Sequence, residues 1–110
     1  MSENVKKAES APKDDLILTL EKPFEFEGET IKEADLRGLR ELTGRQMINM
    51  TNYLVRIGSP VSSRPEITVE FALLAAATVM GKPLEIMDKF GPRDVIKIKN
   101  RVSGFFYGVV

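Results

Sequence analysis

The chemistry open to this chain is set first by what it lacks. It has no histidine and no cysteine, which removes imidazole acid/base catalysis, thiolate nucleophiles, disulfides and the common zinc ligand sets. The carboxylates cluster as Asp14-Asp15 and as the alternating Glu25, Glu27 and Glu29. The alternating set reads as the solvent side of a strand, and neither set converges on a partner group as acid/base chemistry requires. Thr43-Gly44-Arg45 lacks the second glycine and the Lys-Ser/Thr pair of a phosphate loop and reads as a helix start. No enzymatic activity, cofactor or metal is expected.

Two further groups bear on binding. Lys89, Arg93, Lys97, Lys99 and Arg101 precede Phe105, Phe106 and Tyr107, and cations beside stacking rings are the ingredients of nucleic-acid recognition. Sixteen bases and sixteen acids cancel, however, so the global electrostatic footprint of such a protein is missing. The five bases read as a solvated polar face beside a core stripe, and no nucleic-acid partner is expected. The end itself, Phe105-Phe106-Tyr107-Gly108-Val109-Val110, is apolar where chain ends are ordinarily polar. Either it docks back on the core or it offers a sticky surface for self-association or capture of an apolar helix. Phe105, Phe106, Tyr107 and Val109, with the adaptable Met47 and Met50, are therefore the candidate partner-binding residues.

The elements that must position them follow from periodicity. Phe24 and Phe26 alternate with Glu25 and Glu27, and Gly28 can supply a positive φ. Residues 16–36 are thus expected to form a β-hairpin or small three-stranded antiparallel sheet, with Ile31 and Leu36 on the buried face. Thr43 and Gln46 have capping-box spacing, and Met47, Met50, Leu54 and Ile57 make one helical stripe. The longest apolar run, Ile67 to Met80, ends at Gly81 and reads as a buried central helix. Its start is set either by Ser63 and Glu66 with Pro65 in the first turn, the favoured choice, or by Thr68. A short helix with Leu84, Met87 and Phe90 inward follows. A terminal helix from Pro92 carries a Val95, Ile98, Val102, Phe105, Val109 seam, with Asp94 near its positive end. The expected fold is α+β and mostly helical, with four helices at approximately 44–57, 65–80, 83–90 and 92–108.

With 110 residues, one domain is expected over 15–110, behind a disordered tail at 1–14 whose composition cannot offset the entropy of ordering. Residues 1–42 carry net charge −4 and residues 43–110 net +4. There is no secretory leader pattern and no apolar run near the ~20 residues a bilayer demands, so no membrane association is expected.

The ordered part, taken in succession, resembles a known family. The segments Leu18-Thr19-Leu20-Glu21-Lys22-Pro23-Phe24-Glu25-Phe26-Glu27-Gly28, Asp35-Leu36-Arg37-Gly38-Leu39, Leu42-Thr43-Gly44-Arg45, Gly81-Lys82-Pro83-Leu84-Glu85, Asp94-Val95-Ile96 and Val102-Ser103-Gly104-Phe105-Phe106-Tyr107-Gly108 are similar, in that order, to the small tail assembly chaperones of long-tailed bacteriophages. No single segment is diagnostic. The resemblance implies a non-enzymatic protein of the host bacterial cytoplasm that binds the long helical tape measure protein and keeps it soluble during tail morphogenesis. It also implies absence from the mature virion and, in many members, action with a frameshifted longer form of the same protein. It locates no functional residue.

Two other readings compete, a small nucleic-acid-binding regulator and a structural tail or baseplate component. Steeply salt-dependent DNA or RNA binding marks the first, and presence in purified virions the second. On the chaperone reading, apolar surface left over around the central helix, at Phe71, Leu74 and the terminal seam, is expected to face the client or a second copy.

Overall fold

A computed structural model of the protein describes residues 14–60 and 62–108; the expected tail at 1–14 thus lies, except for Asp14, outside the described residues. The order is β1 (Ile17–Phe26), β2 (Glu29–Asp35), α1 (Gly44–Arg56), α2 (Val69–Met80) and α3 (Pro92–Phe106). Short 3-10 helices at Arg37–Glu41, Pro65–Ile67 and Leu84–Asp88 connect them. The α+β expectation holds, with a two-stranded antiparallel sheet and three α-helices instead of four. No helix among the described residues is long and apolar enough to cross a membrane.

The hairpin turns at Glu27 and Gly28, whose φ values of 52° and 79° give the doubly left-handed turn that matches strand twist. Register is regular on either side of one large irregularity: between the pairs Thr19–Glu33 and Phe24–Ile31, β1 advances five residues while β2 advances two. Pro23, which has no amide hydrogen, falls inside this bulge, where a strand tolerates it. The bulge diverts backbone amides away from β2, and α3 collects them. Asp94, 1% exposed, accepts from the Glu21 amide at Oδ1 (2.8 Å) and the Lys22 amide at Oδ2 (3.0 Å).

The bases of α3 are not simply a solvated face. Arg93, Lys97 and Arg101 recur every fourth residue and so share one row, and that row runs along β1. Arg93 faces Glu21 at 3.6 Å, Lys97 Nζ donates to the Thr19 carbonyl (3.1 Å) and Arg101 donates to the Asp15 carbonyl. An edge that would otherwise present bare carbonyls and amides is thereby covered.

α2 is the core. Phe71, Ala72, Leu74, Ala75, Ala76 and Ala77 are buried, and hairpin, α1 and α3 all pack on it. Small alanines admit close neighbours; a methyl group added at Gly38 would lie 2.9 Å from Cβ of Val79. The helix begins at Val69, not near residue 65. Thr68 is extended and its hydroxyl accepts from the Phe71 amide (3.1 Å) while donating to the Pro65 carbonyl (2.8 Å), so Pro65–Ile67 closes as a separate turn. Gly81, at φ 67°, ends it as expected. The expected helix 83–90 is the 3-10 helix Leu84–Asp88, which turns Ile86 inward and leaves Leu84 exposed; Phe90 is buried, edge-on to Phe24 at 5.3 Å. The Thr43–Gln46 capping box of α1 is present.

Asp94→Asn keeps the shape but leaves one buried amide without its carboxylate oxygen. Urea denaturation should show a loss of about 2–3 kcal/mol; a loss below about 0.5 kcal/mol, the range of ordinary surface changes, would show that the bulge holds without this contact.

Candidate functional site

The candidate partner-binding residues separate into two groups in the structure. Phe105 and Phe106 are half-buried. Phe106 meets Phe71 of α2 at 6.0 Å and Phe105 meets Phe106 at 5.4 Å, both edge-to-face. Beyond them the Tyr107 hydroxyl donates to the Glu66 carboxylate and accepts from Arg64 Nε (3.2 Å) and Nη2 (2.8 Å). The same guanidinium lies 5.2 Å from the centre of the tyrosine ring. The end of α3 is therefore docked, of the two alternatives left by the sequence, and held by a polar latch at the start of α2. Val109 lies outside the described residues. On α1, Met50 is buried and Met47 half-buried, both packed into the core. Met50 turns under the helix towards α2.

The central helix is largely enclosed. Phe71 and Leu74 are buried, as are Ile98 and Val102 of the terminal seam, while Val95 and Phe105 of the seam and Leu73, Val79 and Met80 of α2 are only partly covered. Among the described residues the exposed large apolar side chains are Ile48 (50% exposed), Val55 (57%) and Ile57 (57%) on or at the end of α1, Leu84 on its groove side, and Ile96 and Tyr107 of the terminal segment. The spacing places Ile57 on the buried stripe. It is instead the residue that ends the helix, past the last packed turn. Ile48 and Val55 are seven residues apart and so fall on one line of α1, roughly 100–160° around the helix from the buried Met50–Leu54 line and therefore on its outer side. That spacing is readable in the sequence, but the strong methionine stripe masks it.

A groove of about 320 Å³ opens between α1 and α2, bordered by Gln46, Asn49, Met50, Tyr53, Leu74 and Leu84. It is apolar at the floor with amides at the rim. A larger groove of about 630 Å³ runs beside β2, but its walls are charged and mutually neutralised, through Arg37–Asp35 (2.7 Å) and Lys82–Glu29 (2.6 Å). Among the described residues no three or more acids gather as a metal site. The buried Asp94 is committed to backbone amides. What the geometry offers is thus an exposed apolar line on α1.

No family model matches the sequence, and no match is found among curated proteins or solved structures.

The division between docked aromatics and exposed α1 residues is measurable. Phe106→Ala should cost about 2 kcal/mol, somewhat below the range for a fully buried ring. Ile48→Ser and Val55→Ser should each stay within about 0.5 kcal/mol in the same urea titration. The latch adds a pH dependence. The Tyr107 hydroxyl bond to Glu66 holds that carboxyl below its usual range. A depressed folded-state value means the contribution is complete above the ordinary carboxylate range and is lost as pH falls through the lowered value. Amide exchange at Phe105–Tyr107, corrected for the intrinsic pH dependence, should therefore lose protection in acid. Tyr107→Phe should abolish that acid-dependent change.

Proposed function

We propose that this protein is a non-enzymatic phage tail assembly chaperone that binds the tape measure protein and keeps it soluble while the tail forms. The order of segments along residues 18–108 supports the family assignment, and the observation that carries the binding mode is the exposed Ile48–Val55 line on α1. An amphipathic helix with unburied isoleucine and valine two turns apart suits a client built of long apolar helical stripes. Burying the exposed halves of two such side chains contributes only about 1 kcal/mol each. Weak individual contacts are what a chaperone needs if it must later leave. Many copies along one extended client supply avidity without a tight single site.

In this reading the outer side of α1, which turns away from the α1–α2 groove, is the client face, and the terminal aromatics stabilise the fold. The protein works in the host bacterial cytoplasm, alone or with a frameshifted longer form, and is left out of the mature virion. Self-association is secondary to client binding.

Co-expression with the tape measure protein tests this. The wild-type chain should hold the client in the soluble fraction, whereas Ile48→Ser/Val55→Ser should weaken its grip on the client by roughly thirtyfold, as the loss of about 1 kcal/mol at each of two contacts implies, and so lower the soluble client with an unchanged melting curve. A double variant that solubilises the client as well as wild type would refute the assignment of α1. Recovery of the chain in purified virions would refute the chaperone role.

A further inference from the structure

α1 carries charge of one sign. Its sequence, Gly44 to Arg56, contains Arg45 and Arg56 and no acid. These two arginines are unlike the others. Among the described residues Arg37 pairs with Asp35, Arg40 with Asp14, Arg64 with Tyr107, Arg93 with Glu21 and Arg101 with the Asp15 carbonyl. Among the described residues Arg45 and Arg56 have no carboxylate, carbonyl or hydroxyl partner, and Arg56 only rests near the Tyr53 ring, 5.5 Å from its centre. Arg45 also stands in the first turn of the helix, where the macrodipole disfavours a cation and where acids are the stabilising choice. Local stability does not account for it.

The placement of the pair is regular. Eleven residues is three turns, so Arg45 and Arg56 lie about 20° apart around the axis and form a second line beside Ile48 and Val55. A partner that covers the apolar line brings its own flank against both guanidiniums. An uncharged or basic flank would leave them desolvated and unpaired, whereas carboxylates accept both N–H edges of each fork. A second copy offering its own α1 would bring four arginines together without one acid. A polyphosphate chain would satisfy the arginines but leave Ile48 and Val55 in water.

We infer that α1 docks an acidic amphipathic helix, with apolar residues two turns apart over Ile48 and Val55 and carboxylates about three turns apart on Arg45 and Arg56. This rests on α1 being the client face, and it specifies the chemistry of the client segment.

Two synthetic helical peptides with the same apolar stripe, one flanked by Glu and the other by Lys, would be titrated with the full chain by fluorescence anisotropy. The Glu peptide should bind at least about tenfold tighter, the scale of two charge-assisted contacts at a partly exposed surface. Added salt should shrink the preference, and Arg45→Glu/Arg56→Glu should reverse it. Arg45→Glu places an acid at a helix start, so the variant is expected to fold. Equal binding of the two peptides, or a preference unaffected by the arginine variant, would overturn the inference. So would single-stranded RNA binding as tightly as the Glu peptide, or assembly of the chain with itself that the variant abolishes. If the peptide preference holds while co-expressed tape measure protein stays insoluble, the surface chemistry stands and the chaperone reading falls. If the client is solubilised equally by the arginine variant, the reverse is true.

Discussion

The fold depends on one carboxylate. A two-stranded hairpin is marginal on its own, and this one is interrupted by a bulge that turns the Glu21 and Lys22 amides away from β2. Both amides end on Asp94 in the first turn of α3. The bulge is therefore the docking point for the terminal helix, and the proline that would weaken a regular strand sits where no ladder amide is missed. Gly91, ahead of Asp94, lets the helix come this close: a methyl group added there would lie 3.2 Å from the Lys22 side chain.

From that anchor the rest of α3 follows. Ile98 and Val102 face α2, Lys97 and Arg101 reach carbonyls on the outer edge of β1, and Phe106 closes over Phe71. One edge of the sheet is covered in this way. The other, on β2, is guarded by charge. Two copies pairing antiparallel about a two-fold centred on Ile31, Lys32, Glu33 or Ala34 would in every case set lysine against lysine or acid against acid, which disfavours edge-to-edge association. With α2 largely enclosed, three of the six exposed large apolar side chains among the described residues, Ile48, Val55 and Ile57, fall on or at the end of α1.

What was legible in the sequence was local. The Thr43–Gln46 capping box, the Gly81 stop and the Glu27-Gly28 turn are each encoded within a few residues, and each is found in place. Choices between nearly equal local signals went the other way. Thr68 rather than Pro65 starts α2, because its hydroxyl bonds both forwards and backwards. Ile86 rather than Leu84 points inward, because a five-residue 3-10 helix does not follow the α-helical period. The role of Asp94 was illegible: its partners lie more than seventy residues earlier, and from its neighbours alone it is a favourable helix-start acid. The same distance hid the docking of Tyr107 on Arg64 and Glu66.

The α1 face was missed for a different reason. Its buried line is so regular that the helix looks fully explained, and Ile48 and Val55 pass as background. Yet three local choices on this helix run against its own stability. Ile48 and Val55 are β-branched residues on the solvent side, where Ala, Lys or Glu would serve the helix better, and Arg45 sits at the wrong end of the dipole. One such choice is ordinary. Three on one helix, adjoining each other, in a chain whose caps and turns otherwise agree with the fold, mark the place where local preference yields to an external demand. Core packing does not require that demand, because Met50 and Leu54 already fill the α1–α2 contact. On the proposed reading the elements that build the domain and the helix that meets the client are separable, so that face can vary without the Asp94 anchor having to change.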